Sequence, residues 1–179
     1  NENAANIQRD LNILVENGTL KARESNEGVL YQFNHGLLQN IAYESLLIST
    51  RTKLHSQIAN ALLIHFQQTM SSSPELIAHH LAKSERFIEA AEYWRKAGLQ
   101  ASQRGSLQET VAHYQAALLA LDKLEQSGEI ARKKVSILSG LAATLLATTS
   151  YRSQEVRDTA NKALKICKEH GLMLEIAPF

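Results

Sequence analysis

Cysteine is nearly absent from this sequence of 179 residues, since Cys167 stands alone and an internal disulfide is therefore excluded. A single thiol agrees with a reducing compartment, and we expect a cytoplasmic protein. Long hydrophobic runs are missing as well. The longest nearly apolar stretch, Ile137 to Ala147, falls short of the roughly 18 to 20 residues that cross a bilayer, so we expect no membrane partner.

The sequence also lacks an excess of charge of either sign. Nineteen Lys and Arg against 18 Asp and Glu leave a formal charge of +1, so no strong field is available to attract a phosphate backbone. Nucleic acid is therefore a disfavoured partner. Apolar residues make up 44% of the chain, which is enough to bury the core of one domain or of two small ones.

Motifs that carry chemistry are missing too. Phosphate-binding loops need clustered glycines, and the two closest of the eight glycines, Gly98 and Gly105, are too far apart in the sequence. Neither a Gly-x-Ser-x-Gly elbow nor a His-Glu-x-x-His zinc helix is present. We therefore predict no catalytic residue and no cofactor in this chain.

Metal ligands are few and badly spaced. His79 and His80 are adjacent, and neighbours on a helix point about 100° apart, so packing and solvent exposure are the better interpretation. Cys167 and His170 are three residues apart, but two ligands alone do not make a zinc site. The sequence predicts no metal site.

The first part of the chain shows the pattern of a winged helix-turn-helix. A helical period runs from Ala4 to Glu16, and two short strand-like segments, 20–23 and 29–33, follow it with a turn-rich link between them. Another helix begins near Gly36, and its apolar stripe is expected to pack back on the hairpin. We predict that residues 1–48 are the C-terminal part of a winged-helix domain. Because a helical pattern begins at once after Asn1, we also expect an excised piece of a longer protein.

The rest of the chain is a series of amphipathic helices. Apolar residues at steps of three and four predict helices over 51–69, 73–83, 87–104, 106–121, 130–147 and 153–169. Ser106 and Glu109 have the spacing of a capping box. We therefore predict a mainly α fold, in which residues 49–179 form an antiparallel superhelix of helical pairs like those of tetratricopeptide repeats.

The repeat itself is most evident from Ala91 to Asp122, where paired helices follow tetratricopeptide spacing without a gap. Six residues are expected to carry its packing: Trp94, Gly98, Ala101, Gly105, Tyr114 and Ala117. Thr110 departs from the pattern, because a small alanine is usual at its position. A looser unit spans 135–168, with Gly140 in the place of Gly98 and an insertion around Thr148 to Arg152. Helical pairs of this kind leave a concave face, for which we expect another protein as the partner.

The stretch YQFNHGLLQNIAYESLL at Tyr31 to Leu47 resembles the end of the winged-helix domain in signal-transduction ATPases with numerous domains, the STAND class of AAA+ relatives. The segments RTKLHSQIANALL, PELIAHHLAKSERFIEAAEYWRKAGLQA and LAATLLATTSYRSQEVRDTANKALKICKEHG are similar to the part that follows the ATPase in bacterial members. Many of those proteins begin with an adenylate or guanylate cyclase. The resemblance implies a regulatory arm, with an upstream ATPase domain and an unknown protein as partners and ATP or ADP bound in the parent protein.

In that family a histidine of the winged helix faces the nucleotide phosphates, and His35 matches it by its place before the leucine-rich helix. Gly36 stands where an acidic residue is usual, which departs from the family pattern. The resemblance therefore implies that His35 is a phosphate sensor that needs the upstream ATPase domain. An imidazole N–H can donate to a diphosphate, and the start of a helix favours anions.

A winged-helix transcriptional regulator that binds DNA is the alternative function. Its recognition helix would be 4–16, where Arg9 stands against Asp10 and Glu16. A reader of the major groove normally offers several Lys or Arg together with Asn or Gln, so this alternative is disfavoured. The basic run Arg132 to Lys134 is interpreted as a solvated helix face. The sequence does not identify the partner protein, and it is compatible with a homo-oligomer.

Overall fold

The computed structural model describes residues 2–25, 28–65, 73–148 and 153–172. The chain divides into two compact units, Asn1–Arg51 and Thr52–Phe179. This division falls inside a helix, Ile48–His65, and not in a linker.

Helices dominate the described residues, with a single two-stranded antiparallel sheet among them, so the prediction of a mainly α chain is confirmed. The elements are α1 Glu2–Glu16, β1 Leu20–Ser25, β2 Gly28–Phe33, α2 Gly36–Ser45, α3 Ile48–His65, α4 Pro74–Lys83, α5 Phe87–Gln103, α6 Leu107–Leu121, α7 Gly128–Thr148 and α8 Gln154–His170. Residues 66–69 of the predicted helix over 51–69 and residues 149–152 of the predicted insertion lie outside the described residues.

The first unit is built around the hairpin. Its strands pair from Leu20 opposite Phe33 to Ser25 opposite Gly28. One side-chain contact joins the hairpin to α1, because Gln8 Nε2 donates to the Tyr31 hydroxyl oxygen over 2.7 Å.

The apolar stripe of α2 is not buried in this unit, and the expectation that it packs back on the hairpin is wrong. The described residues of α2 include no buried side chain, and Leu37 and Ile41 are 70% and 57% exposed. The physical reason is size, because a hairpin of two short strands offers too little surface to cover an additional helix. Leu20 is the buried apolar side chain among the described residues of the unit.

The second unit is an array in which each helix from α4 to α8 packs against the next one along the chain. The short connections between α4, α5, α6 and α7 favour an antiparallel arrangement of these neighbours. The main core joins α3 to α8 and contains Ala59, Ile77, Leu81, Ala90, Ala91, Tyr114, Ala117, Ala120, Leu121, Ile130, Ile137, Leu141, Leu145 and Val156. Because the core is continuous, it holds the helices that line the groove described below.

The start of α6 differs from the prediction. Ser106 is the residue before the helix, but its side chain makes no capping hydrogen bond, so the predicted capping box is wrong. The Glu109 carboxylate instead lies 3.4 Å from the Arg104 guanidinium. This side-chain ion pair competes with the backbone N–H that a capping box requires.

Candidate functional site

A single aromatic ring connects three helices of the second unit. Tyr114 on α6 is 4% exposed and lies between Gly98 on α5 and Gly140 on α7. A Cβ at Gly98 would lie 2.7 Å from ring atoms Cδ1 and Cε1, and one at Gly140 would lie 3.0 Å from the hydroxyl oxygen. Both glycines are therefore needed for the close approach of their helices to the ring, and burial raises the pKa of the Tyr114 hydroxyl.

The other residues predicted to carry the repeat lie on α5, on α6 or in the turn between them. Ala101 and Ala117 are fully buried between helices, and Gly105 takes a left-handed conformation, with φ of 76°, in the turn between α5 and α6. Trp94 is partly buried at the edge of the core, where its ring stacks on His113 with 5.4 Å between the centroids. These six residues thus surround the contact between α5 and α6.

The position at which alanine is usual is filled by Thr110, which has no exposed surface. Its hydroxyl donates to the carbonyl oxygen of Ser106 over 2.8 Å, one turn earlier in the same helix. A buried hydroxyl is costly only when it lacks a partner, so this bond explains why threonine is accommodated there.

A groove runs between α5 and α7 with a volume of about 420 Å³. It is lined by Ala91, Glu92, Arg95, Arg132, Lys133, Ser136 and Ile137. Ala91 and Ile137 belong to the core and are 2% exposed. The polar lining side chains are more exposed and lie at the edges of the groove. The lining side chains of the groove are thus mainly polar and charged, above a base of core residues.

The charged rim is organised around Glu92. Its Oε1 accepts a hydrogen bond from Lys133 Nζ over 2.7 Å, and its Oε2 lies 3.3 Å from Arg95 Nε. The bond from Lys133 lowers the pKa of the Glu92 carboxyl; burial opposes this effect, and the contact with Arg95 adds to it. Glu129 lies 4.0 Å from Lys133 on the outer side. The carboxylate of Glu92 therefore links α5 to α7 across the groove.

Sequence reasoning missed this rim. The run Arg132 to Lys134 was expected to be one solvated face, but its three side chains have different surroundings. Arg132 and Lys133 line the groove, whereas Lys134 is 8% exposed with Nζ 2.5 Å from Asp122. The expectation is therefore wrong for Lys133 and Lys134. The available signal was the spacing of Ala91 and Arg95, which share a helix face.

No family model, curated protein or solved structure matches this chain. Across 2–65 without 26–27, 73–148 and 153–172, no helix is long and apolar enough to cross a membrane.

His35 lies between β2 and α2, as the last residue before the helix, and its side chain is exposed. The side chain makes no capping bond to the helix. The backbone carbonyl of His35 accepts hydrogen bonds from the amides of Leu38 and Gln39. The start of α2 is thus ordered by the backbone, and the imidazole is accessible.

Three histidines meet between α3 and α4, a cluster that the spacing of His79 and His80 alone did not predict. His55 Nδ1 and His80 Nδ1 are 2.9 Å apart and share a hydrogen bond, and the ring centroids of the three residues are 5.0 to 6.0 Å apart. Burial is the main cause that lowers the pKa of all three, and Lys83 lowers the pKa of His55 and His79 further. In the part of the chain that the structure describes, no three His, Cys, Asp or Glu side chains are arranged to hold a metal ion.

Proposed function

We propose that this chain is a non-catalytic regulatory and protein-interaction module of a cytoplasmic multidomain signal-transduction ATPase of the STAND class. Residues 1–48 would be the end of a winged-helix domain, and residues 49–179 a superhelix of tetratricopeptide-like pairs. The parent protein would bind ATP or ADP upstream, next to an output domain such as an adenylate or guanylate cyclase. His35 would sense the nucleotide phosphates only when that upstream domain is present.

The groove between α5 and α7 is the observation that supports the protein-interaction part of this proposal. In a tetratricopeptide pair the first helix faces the concave side, and α5 and α7 are the first helices of the two units proposed. Their shared groove combines Ala91 and Ile137 at its base with charged side chains at its rim. Such a surface suits a peptide segment of another protein.

The accessible imidazole of His35 supports the nucleotide part of the proposal. A donor at the start of α2 is placed where a helix N-terminus favours an anion. In the parent protein, His35→Ala is therefore expected to weaken ADP retention, whereas His65→Ala in α3 serves as a matched exposed histidine. Equal nucleotide retention in both variants would remove this role from His35.

Two observations test the proposed membership of the STAND class: the coding sequence upstream of this chain and the activity of the purified chain. The coding sequence upstream of Asn1 is expected to encode a Walker motif. The purified residues 1–179 are expected to neither hydrolyse ATP nor form cyclic nucleotide. ATP turnover by the purified chain, at a level that exceeds a boiled control, would overturn the proposal.

A further inference from the structure

The groove between α5 and α7 carries more positive than negative charge. Arg95, Arg132 and Lys133 are cationic, while Glu92 is the single anionic side chain among its lining residues. The Arg95 and Lys133 side chains are 38% and 26% exposed, so solvent reaches both. Charge of this sign favours a ligand with carboxylates.

Glu92 already shows how a carboxylate fits there. Its two oxygens are used by two cations from different helices, Lys133 Nζ on one side and Arg95 Nε on the other. A carboxylate from a bound peptide would find the same two donors. Because the Glu92 side chain is 36% exposed, it can leave this position without opening the core.

We propose that the groove binds an acidic segment of a partner protein, and that Glu92 is an internal competitor which the acidic side chain of the ligand replaces. This inference depends on the proposed protein-interaction function and names the chemistry of the partner. Arg132 is a further cation among the lining residues.

Competition has a definite consequence for affinity. When a peptide carboxylate replaces Glu92, one ion pair is exchanged for another, so the gain on binding is small. If the Glu92 carboxylate is removed, the ligand no longer has to break an existing ion pair before it binds. Exposed ion pairs contribute weakly, so Glu92→Gln is expected to tighten binding by about 1.4- to fivefold, and Arg95→Gln to weaken it by a similar factor.

Fluorescence anisotropy on the whole chain tests this inference. Two labelled peptides of equal length are compared, one alternating Glu with Leu and one alternating Gln with Leu. Glu125→Gln is the matched control, because it changes the net charge as Glu92→Gln does, but Glu125 is exposed in the loop between α6 and α7 and does not line the groove. The control is expected to leave the affinity nearly unchanged. Thermal unfolding of each variant verifies that the helices remain folded.

Two results would overturn the inference. The Gln peptide could bind as tightly as the Glu peptide, or Glu92→Gln could weaken binding of the Glu peptide in a folded protein. If the Gln peptide binds and Ser136→Phe, a bulky change at an exposed lining position, weakens it, the interaction function survives while the acidic ligand is rejected. If neither peptide responds to any groove variant, the interaction function loses its site as well.

Discussion

Replacement of Gly98 by alanine is the sharpest test of how the helices of the second unit fit together. The new Cβ would lie 2.7 Å from two carbons of the Tyr114 ring, about 0.7 Å short of ordinary contact. The ring cannot simply move aside, because Gly140 approaches its opposite edge. The strain must therefore be taken up by a shift of α5 or by a poor rotamer of Tyr114.

Two opposing energies determine the size of this effect. Overpacking of a core costs typically about 1 to 3 kcal/mol, with the severity of this contact placing Gly98→Ala near the upper end. Alanine recovers about 1 kcal/mol over glycine inside a helix. We therefore expect a net loss of about 2 kcal/mol, which lowers the melting temperature by roughly 4 to 8 °C.

The assay is thermal and urea unfolding of the whole chain, with Gly128→Ala as the control. Gly128 is the first residue of α7, and a Cβ there meets nothing within 4 Å, so its substitution is expected to be neutral or slightly stabilising. A second comparison uses Tyr114→Leu, which removes the ring. In that background Gly98→Ala is expected to change sign and stabilise the protein by up to about 1 kcal/mol. The reasoning is refuted if Gly98→Ala and Gly128→Ala unfold alike while Tyr114 is present.

Two further predictions concern the histidine cluster and a strained turn. The pKa values of His55, His79 and His80 are lowered in the folded chain, so the unfolded chain binds more protons as the pH falls below about 6.5. The free energy of unfolding that this cluster contributes is therefore fully present above that pH and is lost on acidification. The urea midpoint of unfolding is expected to fall between pH 7.5 and pH 5.5, and to fall less in His55→Gln. Equal pH dependence of the two proteins would contradict this prediction. Glu85 has a φ of 62° in the turn between α4 and α5, where a non-glycine residue is strained. Glu85→Gly is expected to raise the free energy of unfolding by about 0.5 to 1 kcal/mol in urea titrations, and a lower value would show that the Glu85 side chain contributes more than its backbone costs.

The helices of the second unit could be predicted because their signals are local. Apolar residues recur every three or four positions around Tyr114, and this spacing predicts both the helix and the side of it that is buried. The first unit shows the limit of this reasoning. The stripe of α2 has the same period, but a pattern does not reveal whether a partner surface is present, and Leu37 is exposed.

The groove could not be predicted for a different reason. Glu92 and Lys133 are 41 residues apart, and His55 and His80 are 25 apart, so both contacts depend on which helices become neighbours. No local spacing identifies such pairs. Periodicity therefore predicts the helices well, whereas the charge pairs that define the candidate site require the tertiary packing.

Two of the three buried threonines among the described residues, Thr110 and Thr159, have a consequence for how this array tolerates change. Thr110 and Thr159 each donate to a carbonyl one turn back in their own helix, so neither hydroxyl depends on the adjacent helix. An adjoining helix can therefore be substituted, or shifted in register, without leaving either of these hydroxyls unpaired. At these two positions the shape of the side chains, and not a hydrogen bond, determines which helix packs beside which. We expect exchanges of whole helices that conserve this shape to destabilise the fold less than single substitutions of Tyr114.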